Sequence, residues 1–149
     1  MTDEVLTEEA AEIVQRYIEE EHGYLSWLDT RVERIEHGLV VMTIPYREEL
    51  TNTVTPPTIH GGIAATLIDT AGGIAQRTML DDPVEGGVAT VNLNVNYLRR
   101  ASGDLRATAE VIRSGGSIGW SRVTVESDTP DDEFTHEVAT GQAAYRLFR

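Results

Sequence analysis

Hydrophobic and polar positions divide this chain into a helical start, a set of strands and one long helix between them. Residues 7–21 repeat apolar positions at helical spacing, with Ile13, Val14, Tyr17 and Ile18 on one face. Thr7 suits the cap of that helix, and Glu8 and Glu9 suit the positive end of its dipole. The period then changes to two. Strands are predicted near 30–36 and 39–46, joined at His37-Gly38. In the second, Leu39, Val41, Thr43 and Pro45 alternate with Val40, Met42, Ile44 and Tyr46, so both faces are apolar and both should be covered. Residues 47–58 read as a loop marked by Asn52 and the pair Pro56-Pro57. A helix from about Ile59 to Met79 follows, stopped by Asp81-Asp82-Pro83. Four further strands are predicted at 87–98, 104–114, 117–127 and 134–147. Their turns fall at Ser102-Gly103, at Gly115-Gly116 and in the polar run Asp128 to Glu133. One long apolar helix among six antiparallel strands implies an α+β fold, a sheet wrapped around that helix, with an extra N-terminal helix. No repeat or linker interrupts the pattern, so residues 1–149 read as one domain.

Composition narrows the chemistry. With no cysteine, disulfides, thiolate metal sites and cysteine nucleophiles are excluded. The start Met1-Thr2-Asp3-Glu4 is acidic, and no apolar run approaches the ~18 residues of a membrane span. The expectation is a soluble, cytoplasmic protein without membrane partners. The net charge is -13, and all 12 basic residues are arginine, with lysine absent. No basic stripe is available to neutralise phosphates, which argues against nucleic acid. An acidic balance without lysine fits a surface adapted to a cytoplasm of high salt, where screening shortens self-repulsion; the reading is a halophilic, acidic protein.

The long helix carries the chemistry. It opens on His60-Gly61-Gly62 and holds a single acid, Asp69, in its middle. Glycines at a helix start cost conformational entropy, but they leave the first N–H groups open to an anion. At 100° per residue Ile63, Leu67, Ala71, Ile74 and Thr78 fall on one side, predicted to face the sheet. Asp69 lies nearly opposite, among Gly62, Ala65, Thr66, Gly72, Gly73 and Gln76. A solvated face in so acidic a chain should carry Glu and Arg. This one is nearly bare, as though a ligand or another backbone lies on it. Gly61 and Asp69 are about 12 Å apart along the axis at ~1.5 Å rise per residue. Groups acting on one carbonyl must lie within roughly 3–4 Å of the reacting atoms. If both act, a second helix must lie antiparallel beside the first, as in a two-fold dimer with two equivalent sites.

His60-Gly61-Gly62 with Asp69 nine positions after the histidine resembles the hotdog-fold thioesterases of the phenylacetate-degradation (PaaI-like) group. The approach Tyr46-Arg47-Glu48-Glu49-Leu50-Thr51-Asn52 and the later strand Thr90 to Arg99 are similar to that family as well, and the likeness spans roughly residues 30–147. The resemblance implies hydrolysis of an acyl- or aryl-acyl-CoA thioester at the interface of a homodimer, or of a homotetramer built as a dimer of dimers. It implies that the Gly61 N–H forms an oxyanion hole and that Asp69 of the partner chain acts as general base or as nucleophile through an anhydride. Carboxylates are ionised near neutrality, so either role is open. His60 would orient the loop or the substrate, and Thr90 would place the attacking water. The family's asparagine six residues before the histidine is Val54 here; Asn52, eight before it in a loop two residues longer, is carried over as a candidate. Coenzyme A is part of the substrate, and no separate cofactor is implied.

Candidate contacts for substrate and CoA are Gly62, Thr66, Gly73, Asn92, Arg99 and Arg100. Asn92, Asn94 and Asn96 share a strand face, where hydrogen-bonded packing and substrate contact are both open. Arg99 and Arg100 end that strand and either meet CoA phosphates or form ordinary surface. His22, His37 and His136 lack metal spacing, so no metal site is expected. Tyr97 and Trp120 read as core, and Gly115-Gly116 as a plain hairpin turn. Two other functions compete with hydrolysis: a non-catalytic hotdog domain that binds acyl-CoA as sensor or carrier, and hydration of an enoyl thioester, which fits the Asp/His spacing less well.

Overall fold

The computed structural model describes residues 6–149; the acidic start Met1–Glu4 lies outside the described residues. Helix α1 spans Glu8–Arg16, and Thr7 caps it as predicted, its Oγ1 accepting the Ala10 N–H at 3.1 Å. The helical run continues to Glu21 as a wider π turn over Tyr17–Glu21. A second short helix, α2 (Gly23–Trp27), follows, capped by His22, whose Nδ1 accepts the Leu25 N–H at 3.2 Å. Five residues are too few to show a helical period, which is why the pattern missed it.

Strands β1 (Arg31–Glu36) and β2 (Leu39–Ile44) match their predicted places. Val40, Val41, Met42 and Ile44 are all buried, so β2 is covered on both faces as its sequence implies. The predicted loop is more ordered than expected. It holds a 3-10 turn, Glu48–Leu50, and a two-stranded hairpin of β3 (Thr51–Val54) and β4 (Pro57–Ile59). Its strands are short and mostly exposed, so no alternation betrays them; buried Leu50 and Ile59 anchor its ends.

The remaining strands are β5 (Gly87–Tyr97), β6 (Leu105–Ser114), β7 (Ile118–Thr129) and β8 (Asp132–Phe148). The last two run further than predicted into the polar stretch after Asp128, where Thr129 pairs with Asp132. Gly115 closes the β6–β7 turn, its N–H bonding Ile118 O at 2.9 Å. With β1 and β2 these strands form one six-stranded sheet in the order β1-β2-β6-β7-β8-β5, every pair antiparallel. β5 is an edge: among the described residues it pairs with β8 only.

Helix α3 (Gly61–Arg77) lies across this sheet. It starts two residues later than predicted because Ile59 belongs to β4 and His60 is the cap. Leu67, Ile68, Ala71 and Ala75 are sealed from solvent in one core with Val40, Met42, Val123 and Val125. Alanines at 107, 109 and 139 on the strands, also without exposure, leave room for the helix to approach. This is the α+β arrangement of a sheet around a central helix that the pattern implied.

Two positions correct the helix reading. Gly72 and Gln76 are not on an open face with Asp69 but buried against β7. Ser121 Oγ donates to Gly72 O at 2.9 Å, and Gln76 Nε2 donates to Trp120 O at 2.8 Å and to Ser121 Oγ at 3.0 Å. A Cβ on Gly72 would fall 2.3 Å from the Tyr145 hydroxyl. The sheet curves around more of the helix than an amphipathic stripe assumes, so small and polar residues enter the core. Tyr97 and Trp120 are corrected in the other direction. They are 56% and 41% exposed, because β5 is an edge strand and Trp120 alternates outward between buried Gly119 and Ser121.

Candidate active site

The start of α3 is built by its first three residues acting together. His60 Nδ1 accepts the Gly62 N–H at 2.8 Å, so the ring folds over the first turn as a cap. In the neutral ring the proton then sits on Nε2, which leaves a donor facing outward. A Cβ on Gly62 would lie 2.8 Å from that Nδ1, and one on Gly61 would lie 3.0 Å from the Tyr97 ring. A side chain at Gly62 would therefore displace the cap, whereas one at Gly61 needs only a small shift of the exposed Tyr97 ring. Tyr97 also donates its hydroxyl to Gly61 O at 2.8 Å. The loop before the cap is fixed by His60 N–H on Leu50 O and by Ile59 N–H on Ala101 O, both at 2.8 Å. Among the described residues no acceptor takes the Gly61 N–H. It remains available at the positive end of the helix.

Two turns further along α3, Asp69 is half-buried and held from β5. Thr90 Oγ1 donates to its Oδ1 at 2.6 Å. Tyr145 on β8 donates its hydroxyl to the Asp69 backbone carbonyl at 2.8 Å. Burial, and secondarily the Asp69 charge, push the Tyr145 phenol above its ordinary pKa, so it stays a donor. The backbone and one carboxylate oxygen of Asp69 are thus fixed, and its second oxygen has no protein donor among the described residues.

These groups open into two different cavities. One, of about 500 Å3, is lined by Asp69, Gly73 and Thr90 together with α1, Arg77 and Tyr145. The other, of about 360 Å3, is lined by Asn52, His60, Gly61, Tyr97, Arg99 and Arg100 among others. They share no lining residue. Asn52 sits on exposed β3 and does reach the His60 cavity. Gly62 and Thr66 line neither cavity: Thr66 Oγ1 donates to Gly62 O at 2.9 Å and shares a hydrogen bond with the Tyr24 hydroxyl. Asn92 also lines neither, and it accepts from Asn94 Nδ2 at 3.1 Å on the exposed edge. His136 is on the β8 arm of the last hairpin, 2.8 Å from Asp132, and that hydrogen bond holds the Asp132 carboxyl below its usual range.

Sequence reading missed Tyr97, Tyr145 and Arg77 as parts of these cavities. Arg77 had a legible signal, since Asp69, Gly73 and Arg77 recur every four residues on one helix face. The tyrosines had none. Each reaches its place through a tertiary contact that spacing does not encode.

The thioesterase superfamily model matches residues 57–133, from β4 to the last hairpin. The chain belongs to the thioesterase superfamily. A protein of Halobacterium salinarum, provisionally named an esterase, is 48% identical over 95% of each chain. Human acyl-coenzyme A thioesterase 13 is 30% identical over 88 residues, 58% of this chain and 59% of its own. The crystal structure of a thioesterase family protein from Silicibacter pomeroyi superposes with a TM-score of 0.81 at 26% identity, covering 93% of this chain and 98% of that one. The fold is thus the hotdog fold of this superfamily. Its matched segment contains His60, Gly61, Asp69 and Thr90. Membership and the names of these relatives support hydrolase activity. No described helix is long and apolar enough to cross a membrane, and no described cluster of His, Asp and Glu has the makings of a metal site.

Proposed function

We propose that this protein is a cytoplasmic acyl-CoA thioesterase of the PaaI-like group, acting as a two-fold homodimer or a pair of such dimers. The observation that carries this reading is the separation of Asp69 with Thr90 from His60 with Gly61, in cavities without a common residue. Each looks like half of a site. β5 supports the way the halves meet. Its outer edge is unpaired among the described residues, and Val91 and Leu93 are exposed on it at 58% and 37%. Such an edge invites another strand. Thr90, near its start, touches Asp69, and Tyr97, at its end, touches Gly61. Antiparallel pairing of two β5 edges about a two-fold axis at Asn94, with Val91 as the extra residue of the β5 bulge, would set Thr90 of one copy opposite Tyr97 of the other. Asp69 of one protomer then faces the Gly61 end of its neighbour.

In that arrangement the Gly61 N–H binds the thioester oxygen as negative charge develops on it, aided by the helix dipole. Asp69, oriented by Thr90, takes a proton from water as the water oxygen attacks the carbonyl carbon. Collapse of the tetrahedral intermediate breaks the carbon–sulfur bond and expels the CoA thiolate, which receives that proton. The products are a free acid and CoA. Direct attack by Asp69 to give an anhydride, opened later by water, uses the same geometry. Arg99 and Arg100, exposed beside the Gly61 cavity, suit the phosphates of CoA. The acid-rich, lysine-free composition adds the expectation of best activity at high salt.

Free-thiol release from a panel of aryl- and alkyl-CoA esters, measured in high salt, tests the function. Steady turnover of at least one class is expected. Tight binding of acyl-CoA with no thiol released from any ester would overturn hydrolysis in favour of a sensor or carrier.

A further inference from the structure

We propose that the cavity beside Asp69 selects acyl groups bearing a carboxylate at their far end, with Arg77 as the specificity-determining contact. The proposal rests on the acyl-CoA reading above and adds the substrate class. Asp69, Gly73 and Arg77 follow one another at successive turns of α3 and all line this cavity. The acid and the arginine are about 12 Å apart along the axis at ~1.5 Å per residue. Gly73 between them contributes no side chain, so the floor of the trough is bare. Its walls are largely apolar, with Ile13, Val14, Ile18, Leu25, Val84 and Val88 among them.

Arg77 is held in place but not used up. Its Nη1 donates to Gly86 O at 2.6 Å and to Pro83 O at 3.0 Å, which fixes the guanidinium against the turn before β5. Among the described residues Nε and Nη2 have no acceptor, and no carboxylate forms an ion pair with it. Burial pulls its pKa below the ordinary arginine value, yet a guanidinium stays charged in any protein. Besides Asp69, the other acid lining the cavity is Glu21, which is exposed and so screened by solvent.

A half-buried cation with free donors at the end of an apolar trough is matched by an acyl chain with an apolar body and an anionic tip. An alkyl or phenyl end would bury those donors without a partner. A terminal carboxylate accepts from them in the planar geometry that guanidinium favours. Hydrolysis would then release a dicarboxylic acid.

The test compares monothioesters of dicarboxylic acids, from succinyl- to suberoyl-CoA, with plain acyl-CoA esters of equal chain length. At the best length, kcat/KM for the dicarboxylic member should exceed its partner by roughly ten- to a hundredfold, the worth of a charge-assisted hydrogen bond. The difference should fall mainly in KM. Arg77→Met should erase the preference, lowering kcat/KM for the dicarboxylic member far more than for its plain partner, and Arg77→Lys should retain part of it. A wild-type preference for the plain esters, or a preference that survives Arg77→Met, overturns the proposal. Should Arg77→Met fail to fold, the wild-type ratio and Arg77→Lys still decide. Calorimetry with non-hydrolysable thioether analogues separates the two readings. Arg77-dependent binding of the dicarboxylic analogue with no thioester cleaved anywhere would leave this inference standing and remove the hydrolysis it rests on.

Discussion

On the side of α3 that meets β7, Gly72 and Gln76 are buried and bonded through Ser121; on the side that faces α1 across a cavity, Asp69, Gly73 and Arg77 line that cavity. In a sequence the two sets look alike, small or polar residues interrupting an apolar helix. Their polar atoms have different fates. Gln76 Nε2 and Ser121 Oγ spend themselves on carbonyls of the protein's own backbone. Asp69 and Arg77 are each fixed by part of their bonding capacity, with the rest facing the cavity. Gln76 Oε1 has no partner among the described residues either, but it is sealed in the core. What distinguishes a site from a tight helix–sheet contact is therefore unspent bonding capacity that opens into a cavity, and a face merely stripped of bulk is not enough.

That contrast predicts a division between activity and stability. The largest effect should come from Asp69→Ala, which lowers kcat by about a thousandfold through loss of the base or nucleophile. Thermal melting and oligomer size should stay as in the wild type. Gln76→Ala should behave in the reverse sense. It removes a buried amide and orphans carbonyls of Arg113 and Trp120, at a cost of roughly 2–4 kcal/mol in denaturant unfolding. Turnover well below the melting transition should remain near that of the wild type. Thr90→Ala should be milder than either, reducing kcat by about tenfold for one lost hydrogen bond, with little change in stability. An Asp69→Ala protein that unfolds, or a stable Gln76→Ala protein without activity, would break the division.

How much was legible in the chain follows from the same physics. The six strands and α3 came through because period and turn residues are local, and so did Thr7 as a cap. The glycines after His60 were legible as well, since they open the helix start, and at Gly62 the cap ring leaves no room for a side chain. The β3–β4 hairpin and α2 were not, because short, exposed elements carry little periodicity. Gly72 and Gln76 were placed on the wrong face because the sheet's curvature, invisible in the helix's own sequence, decides how much of its circumference is buried. Tyr97 was misread as core because nothing in its strand says that β5 lies at an edge. Tyr145 reaches Asp69 across 76 positions, which no spacing rule covers.

The shared site is the central claim, and mixing two inactive variants tests it most directly. Asp69→Ala keeps the helix start; Gly61→Pro removes the Gly61 N–H at a position where proline suits a helix, and exposed Tyr97 has room to move aside. After subunit exchange, verified by mass-tagging one variant, half the dimers are mixed and each contains one whole site. About a quarter of wild-type thiol release should therefore return. Exchange without any gain over the separate variants would contradict the account, because it would mean that Gly61 and Asp69 serve the reaction from one and the same chain.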